Sequence, residues 1–470
     1  MMAAVLAITL VQQPVPPLPP PPRDTSRGRP CKVVIDSVGR QAQQVEVRPR
    51  ETNVFAGGGV LAHCEGTGST LAADSVAWFA GVGRFDMIGQ KNRIHIRDTV
   101  MTLDATTAAY FLRQERLDAH KDVVAQNRST GSVLRGPNLT YYRAAAGIRD
   151  TLEMYASSRP TIDYRAAADS GEPYVIVADR VRFKGNDRMW GGGTVTIDRS
   201  DFAARGDSMQ LDQAAGFGLL LGHPRVDGKG SQSYTLTGTR IELGLHGHDV
   251  KLVKALGDGV ATGADWRLTA DTIHLHIDRK KLQQAFAWGP KDLVHANAVS
   301  SRTTIRGDSL ALDAPDQVLS EMRAFRHARS TSQRDSTVKH VSTVKHDSSD
   351  GKRDSAAVRC VSGDNTDWIT GDSLTARWKQ LPDSAGQPRS RLRQLLARGT
   401  ARAFTHLQEK RDSTTGPSLN YSRGDVIDIL LAGDRVDTVR VIGRADGVHL
   451  ECRPPAPPVA DTTKKKASGK

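Results

Sequence analysis

The stretch Leu268-Thr-Ala-Asp-Thr-Ile-His-Leu275 decides the fold, because its pattern recurs along most of the chain. The pattern is an apolar residue, any residue, Ala or Gly, Asp, any residue, an apolar residue, any residue and a second apolar residue. Small residues and Asp tolerate the unusual backbone angles of turns, and the alternation that follows has the period of a half-buried strand. The segment therefore predicts a bend at Ala270 and Asp271, followed by a strand with Ile273 and Leu275 on its inner face.

Nine other segments repeat this corner, and the Asp position serves as a marker for each copy. Thr106, Pro137 and Thr239 stand at that position in three of the copies. The commonest distance between successive markers is near 32 residues, and two late intervals are stretched by insertions. The markers of the ten copies lie at positions 74, 106, 137, 179, 207, 239, 271, 308, 372 and 425.

Between the corners lie further alternating runs that are broken by Gly, Lys or Asp. Arg116–Val124, Gln284–Leu293 and Leu395–Ala403 are examples. Each repeat therefore predicts a strand, a turn and a returning strand. The glycine runs Gly57–Gly59 and Gly191–Gly193 are interpreted as bulges or tight bends. The expected fold is all-β, an elongated stack of about ten repeats, in which Ser390–Ala397 is the best candidate for a short helix and is compatible with a strand as well.

Residues two and four positions after each marker share one face of their strand, so stacked repeats would align them into two apolar stripes. Such stripes are either an ordinary core, if the layers close, or the walls of a groove that holds acyl chains, if the layers splay. The candidates are Val76, Trp78, Tyr110, Leu139, Tyr141, Val181, Phe183, Met209, Leu211, Ile241, Leu243, Ile273, Leu275, Leu310, Leu312, Leu374, Ile427 and Ile429.

Composition supports an extended two-faced structure. Of 470 residues, 38% are hydrophobic, 5% are aromatic and 25% are charged, and 43 are Gly. The formal net charge is +13, but most Lys and Arg occupy outward positions of the strand pattern, as Arg180 and Arg182 do. Because aromatic residues are not interleaved with a basic cluster, a solvated basic face is favoured over a nucleic-acid site.

The flanking segments predict an exported chain. Met1–Val11 is a short apolar run without a preceding Lys or Arg, which indicates a degenerate signal peptide, and Pro14–Pro22 is a stiff polyproline linker. Residues 1–30 thus precede two blocks of repeats, 31–327 and 358–453. The segment 328–357, with its tandem Ser-Thr-Val-Lys-His, is too polar to order itself and is expected to be a disordered insert, and 454–470 a disordered basic tail.

Four cysteines lie in two pairs, one near each end of the array. In an exported protein they are expected to be oxidised, most economically as Cys31–Cys64 and Cys360–Cys452, although sequence leaves the connectivity open. No two of them have the close spacing of a zinc site. His246 with His248, and His274 with His276, are each placed on one strand face, yet no carboxylate or Cys partner is assignable, so surface histidines are favoured and no cofactor or metal is expected.

The corner, Leu-x-Ala-Asp-x-apolar-x-aromatic with its returning strand, resembles the OstA-like (LptA) family of lipopolysaccharide-transport proteins. The resemblance is best over residues 71–143 and 268–312 and extends more weakly from 57 to 450. It implies a β-jellyroll, a V-shaped pair of facing sheets, whose groove carries lipid acyl chains. It also implies a periplasmic location, lipopolysaccharide or a related lipid as ligand, and edge-to-edge pairing with similar domains of inner- and outer-membrane components or with other copies of this chain. This chain is much longer than the bridge proteins of that family.

Enzyme motifs are missing from the sequence. It has no Gly-x-Ser-x-Gly elbow, no His-Glu-x-x-His and no phosphate-binding Gly-x-x-x-x-Gly-Lys-Ser/Thr loop. Three hypotheses stand: a non-catalytic lipid conduit, a parallel β-helix enzyme acting on polysaccharide, and a structural or adhesive β-array without a ligand. The β-helix needs rungs of 20–25 residues and a cluster of Asp, Lys and Arg on one face, and neither is seen. The lipid conduit is the favoured hypothesis.

Overall fold

The computed structural model describes residues 31–65, 67–165, 171–230, 233–290, 296–300, 302–333, 366–382, 388–407, 418–432 and 435–450. The predictions for the signal peptide, the linker, residues 334–357 of the insert, Cys360, Cys452 and the basic tail lie outside these residues.

The described residues form 32 β-strands and three short 3-10 turns (Ala80–Val82, Leu112–Gln114 and Pro315–Gln317), with no α-helix among them. In chain order the strands are β1 Lys32–Val38, β2 Gln41–Arg48, β3 Glu51–Glu65, β4 Ser69–Phe79, β5 Arg84–Ile88, β6 Ile94–Arg97, β7 Met101–Ala105, β8 Thr107–Phe111, β9 Arg116–Asn127, β10 Val133–Tyr142, β11 Glu153–Ser157, β12 Thr161–Tyr164, β13 Tyr174–Val177, β14 Arg180–Lys184, β15 Arg188–Asp198, β16 Phe202–Asp212, β17 Phe217–Leu221, β18 Arg225–Gly228, β19 Tyr234–Thr237, β20 Arg240–His246, β21 Asp249–Thr262, β22 Arg267–Asp278, β23 Lys281–Trp288, β24 Ala296–Ser300, β25 Thr303–Gly307, β26 Ser309–Asp313, β27 Glu321–Gln333, β28 Thr366–Pro382, β29 Pro388–Leu407, β30 Ser418–Ala432, β31 Arg435–Ile442 and β32 Asp446–Leu450.

These strands make one antiparallel sheet that folds lengthwise into two facing halves. Twelve long strands cross both halves: β3, β4, β9, β10, β15, β16, β21, β22 and β27 to β30. The first half also contains β2, β5, β8, β11, β14, β17, β20, β23, β26 and β31, and the second half contains β1, β6, β7, β12, β13, β18, β19, β24, β25 and β32. The predicted elongated all-β stack is confirmed.

All ten marker positions lie on the crease where the two halves meet. Six of them interrupt a long strand, as Asp271 does in β22, and four separate two short strands, as Asp179 does between β13 and β14. The returning strands bend at the same level. There the pairing register shifts, for example between Gly57 and Val60 and between Gly192 and Val195. The glycine runs are therefore bulges at the crease, as the sequence predicted.

The reason for the small residue in the motif differs from the prediction. Neither that residue nor the Asp has a left-handed backbone; those angles occur on the returning strands, at pairs such as Gly193-Thr194 (φ 74° and 42°). The Ala or Gly points into the narrow crease instead. A Cβ on Gly371 would come within 2.9 Å of the backbone oxygen of Arg398. The motif position is thus small because space is short, not because the backbone turns there.

Two rows of apolar residues and Gly run without interruption from β3 to β31 in the first half, whereas in β2 the residue opposite Val54 is Gln44. They contain the residues two and four positions after each marker, together with their partners on the returning strands. In the row nearer the crease, large side chains on the corner strands often face Ala on the returning strands, as Ile273 faces Ala255 and Ala287. This alternation of large and small side chains fits the space between neighbouring strands. The predicted stripes therefore form.

Two local predictions need correction. The candidate helix Ser390–Ala397 is part of β29, the strand that the sequence left as its alternative, and Leu395 and Ala397 are buried there. The strand β27 continues to Gln333 and so contains the first six residues of the predicted insert, because residues 328–333 pair with 366–371 of β28.

Candidate functional site

The interior between the two halves contains all eighteen predicted candidates. Fourteen of them are buried, and Ile273 and Leu275 have no exposed surface. Trp78, Tyr110 and Phe183 are partly buried against the same core, as is Leu211. All eighteen thus belong to one continuous apolar interior that runs along the array.

The structure also shows an inward row that the candidate list omitted. The first apolar residue of each corner, three positions before the marker, faces the interior from the second half. Leu71, Leu103 and Leu134 begin this row, and Leu268 lies at its middle. The motif contained the signal, since the same position is apolar in nine of ten copies. Every second side chain of a corner faces the interior, and this alternation shifts by one residue at the marker. A single corner therefore contributes inward side chains to both halves.

The interior is closed and well packed in this conformation. A cavity of about 80 Å³ lies near the N-terminal end, lined by apolar side chains that include Phe85, Met87 and Leu117 and by the polar groups of Asp98 and Arg143. Two further cavities of about 40 Å³ lie deeper in the array. For comparison, an engineered apolar cavity of about 150 Å³ binds benzene. None of these three spaces accommodates an acyl chain unless the halves separate.

The edge opposite the crease is held together by polar contacts between the halves, which we call the seam. At its N-terminal end the carboxylate of Glu115 is fully buried. It accepts hydrogen bonds from the backbone N–H of Cys31 at 2.7 Å and from the hydroxyl of Tyr110, and Arg143 lies 3.6 Å away. The pKa of Tyr110 is raised far above its ordinary value, mainly by burial and secondly by the hydrogen bond to Glu115. Burial likewise raises the pKa of Tyr141.

His248 forms a second contact across the seam. Its carbonyl oxygen accepts the hydroxyl of Tyr174 at 3.0 Å, and the two rings lie 4.7 Å apart. The guanidinium of Arg199 lies 3.7 Å from Asp249 and over the ring of Tyr174. His248 was predicted to be a surface histidine; it is half-buried and joins the first half to the second. Burial raises the pKa of the neighbouring Tyr164 to about 12.

A third contact joins Asn127 of β9 to Asn186 of the turn between β14 and β15. The side-chain amide of Asn127 donates to the side-chain oxygen of Asn186 at 3.1 Å. Such neutral, partly exposed hydrogen bonds contribute only about 0.5–1.5 kcal/mol each. The seam is therefore weaker than the crease, where the backbone is continuous.

The histidines at 274 and 276 lie on the outer face, as predicted. His274 contacts the ring of Trp288 at 4.6 Å and His276 that of Phe286 at 5.4 Å. Burial, followed by the charge of Lys254, lowers the pKa of His274. Over the described residues there is no group of three or more His, Cys, Asp or Glu placed to hold a metal ion.

The disulfide Cys31–Cys64 is formed, as the sequence predicted. It joins the start of β1 to the end of β3, whose strands pair from Lys32 opposite Glu65 onwards. The bond thus fastens the terminal strand of the second half beside the buried Glu115.

Together these features define the class of the protein: an antiparallel β-array with a crease on one long edge, a polar seam on the other and an apolar interior between them. No protein-family model matches the chain, and no curated protein is significantly similar to it. Within the described residues, no helix has both the length and the apolar character needed to span a membrane.

Proposed function

We propose that this chain is a non-catalytic, exported lipid carrier whose interior holds acyl chains when the seam opens. The observation that carries the proposal is the pair of unbroken apolar rows, faced by the row of the second half, along the length of the array. An acyl chain lying along these rows would gain about 0.8 kcal/mol of binding free energy for each methylene that it buries. This gain does not require a specific polar site. Lipopolysaccharide or a related lipid is the proposed cargo, and the periplasm the proposed location.

The asymmetry of the two long edges supports this mode of binding. At the crease the polypeptide backbone itself passes from one half to the other. Its bends are fixed by backbone hydrogen bonds, such as that from the N–H of Asp179 to the carbonyl oxygen of Gly193 at 2.9 Å. The seam contains a few side-chain contacts. Separation of the halves therefore costs least along the seam, and it would expose the whole apolar interior to a lipid.

The terminal strands at the two ends of the array are evidence for partners that pair with them by adding strands. Among the described residues, β1 and β2 pair only with β3 at one end, and β31 and β32 pair only with β30 at the other. Within this part of the chain each terminal strand leaves one row of backbone groups unpaired, which is the usual template for strand addition. We propose that similar domains of inner- and outer-membrane components, or further copies of this chain, pair there and extend the interior.

A photo-crosslinking residue tests the lipid site directly. Phe183 is partly buried in the row four positions after the marker, and a benzoyl-phenylalanine there keeps an aromatic ring in place. We expect it to form an adduct with the acyl chains of added lipopolysaccharide.

The matched control is the same substitution at Phe286, which contacts His276 on the outer face. Adducts at Phe183 but not at Phe286 support binding in the interior. Equal labelling at both positions, or none at Phe183, would overturn the proposal. Native mass spectrometry of the purified protein gives an independent check for copurified lipid.

A structural array without a ligand is the second candidate, and the complete packing of residues such as Ile273 and Leu275 favours it. It predicts no adduct at either position. The parallel β-helix fold is wrong for the described residues, because every strand pairing among them is antiparallel.

A further inference from the structure

The inner lining of the second half changes character along the array. Five positions before the marker, the inward residue is large and apolar or aromatic through the middle of the chain: Tyr174, Phe202, Tyr234 and Trp266. At the next three markers the same position holds Thr303, Asp367 and Asn420. The change occurs between β22 and β25, so the wall of the C-terminal third differs from that of the middle; near the N-terminus the same position holds Ser69, Met101 and Ser132.

The register places other polar residues beside these three. Thr303 pairs with Ser332 and Ser332 with Asp367, while Thr405 pairs with Asn420. In the next inward row, Ser330 and Ser422 occupy positions that are apolar on most other strands. We call Thr303, Ser330, Asp367, Thr405, Asn420 and Ser422 the polar wall.

Two hydroxyls of the polar wall are buried without a partner. Ser330 and Thr405 are 1% and 2% exposed, and within the described part of the chain neither side-chain oxygen makes a hydrogen bond. The amide of Asn420 already donates to Ser422 at 3.1 Å, and the carboxylate of Asp367 lies 2.7 Å from Nδ1 of His406. A buried hydroxyl without a partner is unfavourable, and Val or Ala at these positions would avoid that cost.

The first half stays apolar over the same strands. In its row Leu312 pairs with Met322 and Leu395 pairs with Ile429, and Ala376 of β28 lies between Met322 and Leu395. One wall of this part of the interior therefore suits a hydrocarbon chain, and the other suits groups that donate and accept hydrogen bonds.

We propose that the C-terminal third of the interior binds the uncharged, hydroxyl-bearing head of an acyl lipid, of the glycerol or sugar type, against the polar wall. This inference rests on the proposed lipid-binding function. The head is uncharged because the wall offers hydroxyl and amide groups, and its one carboxylate already faces His406. A charged head would lose its hydration there without gaining a counter-ion.

Two esters with the same chain test the inference: monododecanoylglycerol, with two free hydroxyls, and methyl dodecanoate, with none. Affinities are measured by displacement of a fluorescent apolar probe from the full chain. We expect the glycerol ester to bind more tightly to the wild type. Thr405→Val and Ser330→Ala should each weaken it by about three- to tenfold and leave the methyl ester unchanged.

The control variant is Thr370→Val, on the outer side of β28, where the Thr370 hydroxyl meets the carbonyl oxygen of Arg402. It should change neither affinity. Thermal midpoints accompany every measurement, and Thr405→Val should not lower the midpoint, because it removes a hydroxyl that makes no hydrogen bond to the described residues.

The outcomes separate the two proposals. If the wild type binds neither ester, the lipid-carrier function fails and this inference fails with it. If both esters bind equally and the two variants change neither affinity, lipid binding stands and the polar wall has no role in recognising the head.

Discussion

At the scale of single residues, the crease is fixed by the marker Asp and by the left-handed residues beside it. The carboxylate of Asp179 leans over Gly193, and those of Asp372 and Asp425 lean over Gly399 and Gly443 in the same way. The sequence motif pointed to the Asp but not to its partner, because the partner lies on a different strand.

Gly193→Ala tests this arrangement. Gly193 has φ 74°, and a Cβ there would collide with the carboxylate of Asp179. The left-handed strain alone costs about 1–2 kcal/mol, and the collision adds to it. Gly247→Ala is the control, since Gly247 has φ 60° and open space around the added Cβ. In denaturant unfolding, Gly193→Ala should lose more stability than Gly247→Ala, and the addition of Asp179→Ala should recover part of the difference. Equal losses for the two glycines would contradict the collision.

Asp74 should make the N-terminal repeats sensitive to acid. Its carboxylate accepts the backbone N–H groups of Asn92, Lys91 and Gln90, and these bonds, that of Asn92 first, hold its pKa at about 2. Because the folded pKa lies below the unfolded one, the stabilisation is complete above about pH 4 and is lost as the pH falls towards 2. The thermal midpoint of Asp74→Asn should lie below that of the wild type at neutral pH, and the gap should close between pH 4 and 2. A carboxyl titration near pH 4 by NMR would refute this account.

At the scale of the elements, each long strand serves both halves because its inward alternation slips by one residue at the crease. In β22, Leu268 and Ala270 face the interior from the second half, and Ile273 and Leu275 face it from the first. A corner strand and its returning strand cannot bury both faces alone, so each rung depends on its neighbours. The terminal strands, which have one neighbour, should be the least stable.

The disulfide Cys31–Cys64 offsets that weakness in β1. It closes a loop of 33 residues, for which loop entropy gives about 3–4 kcal/mol. In Cys31→Ala/Cys64→Ala, β1 should lose hydrogen-exchange protection while β9 and β10 keep theirs. As a control, reductant is added to both proteins. It should lower the hydrogen-exchange protection of β1 in the wild type and leave that of the double variant unchanged. Unchanged protection of residues 32–38 would show that the Glu115 contact alone suffices.

At the scale of the whole molecule, no element among the described residues covers the C-terminal end of the array. Val448 and Leu450 on β32 are 55% and 56% exposed, and Ile442 on β31 is 58% exposed. Exposed apolar side chains on an edge strand favour association with another sheet. This end is where we expect partners, or further copies of the chain, to add strands.

Val448→Lys/Leu450→Lys should reduce concentration-dependent association in sedimentation velocity, because two charges on an edge strand oppose pairing. Val299→Lys, on the outer face of β24 in the middle of the array, is the control and should associate as the wild type does. Undiminished association of the β32 variant would place the contact elsewhere.

The sequence by itself determined the all-β class, the ten corners, the inward pairs after each marker and the glycine-rich irregularities between them, because each depends on local alternation or on spacing along the chain. Tertiary structure alone decided that the motif's small residue fills a crease rather than bending the backbone, that His248 joins the two halves and that Ser390–Ala397 is a strand. It also decided that the stripes around Leu268–Leu275 are closed and packed, and that a polar wall lines the C-terminal third. These features depend on which strand faces which across the interior, and a local pattern does not encode the partner that lies opposite.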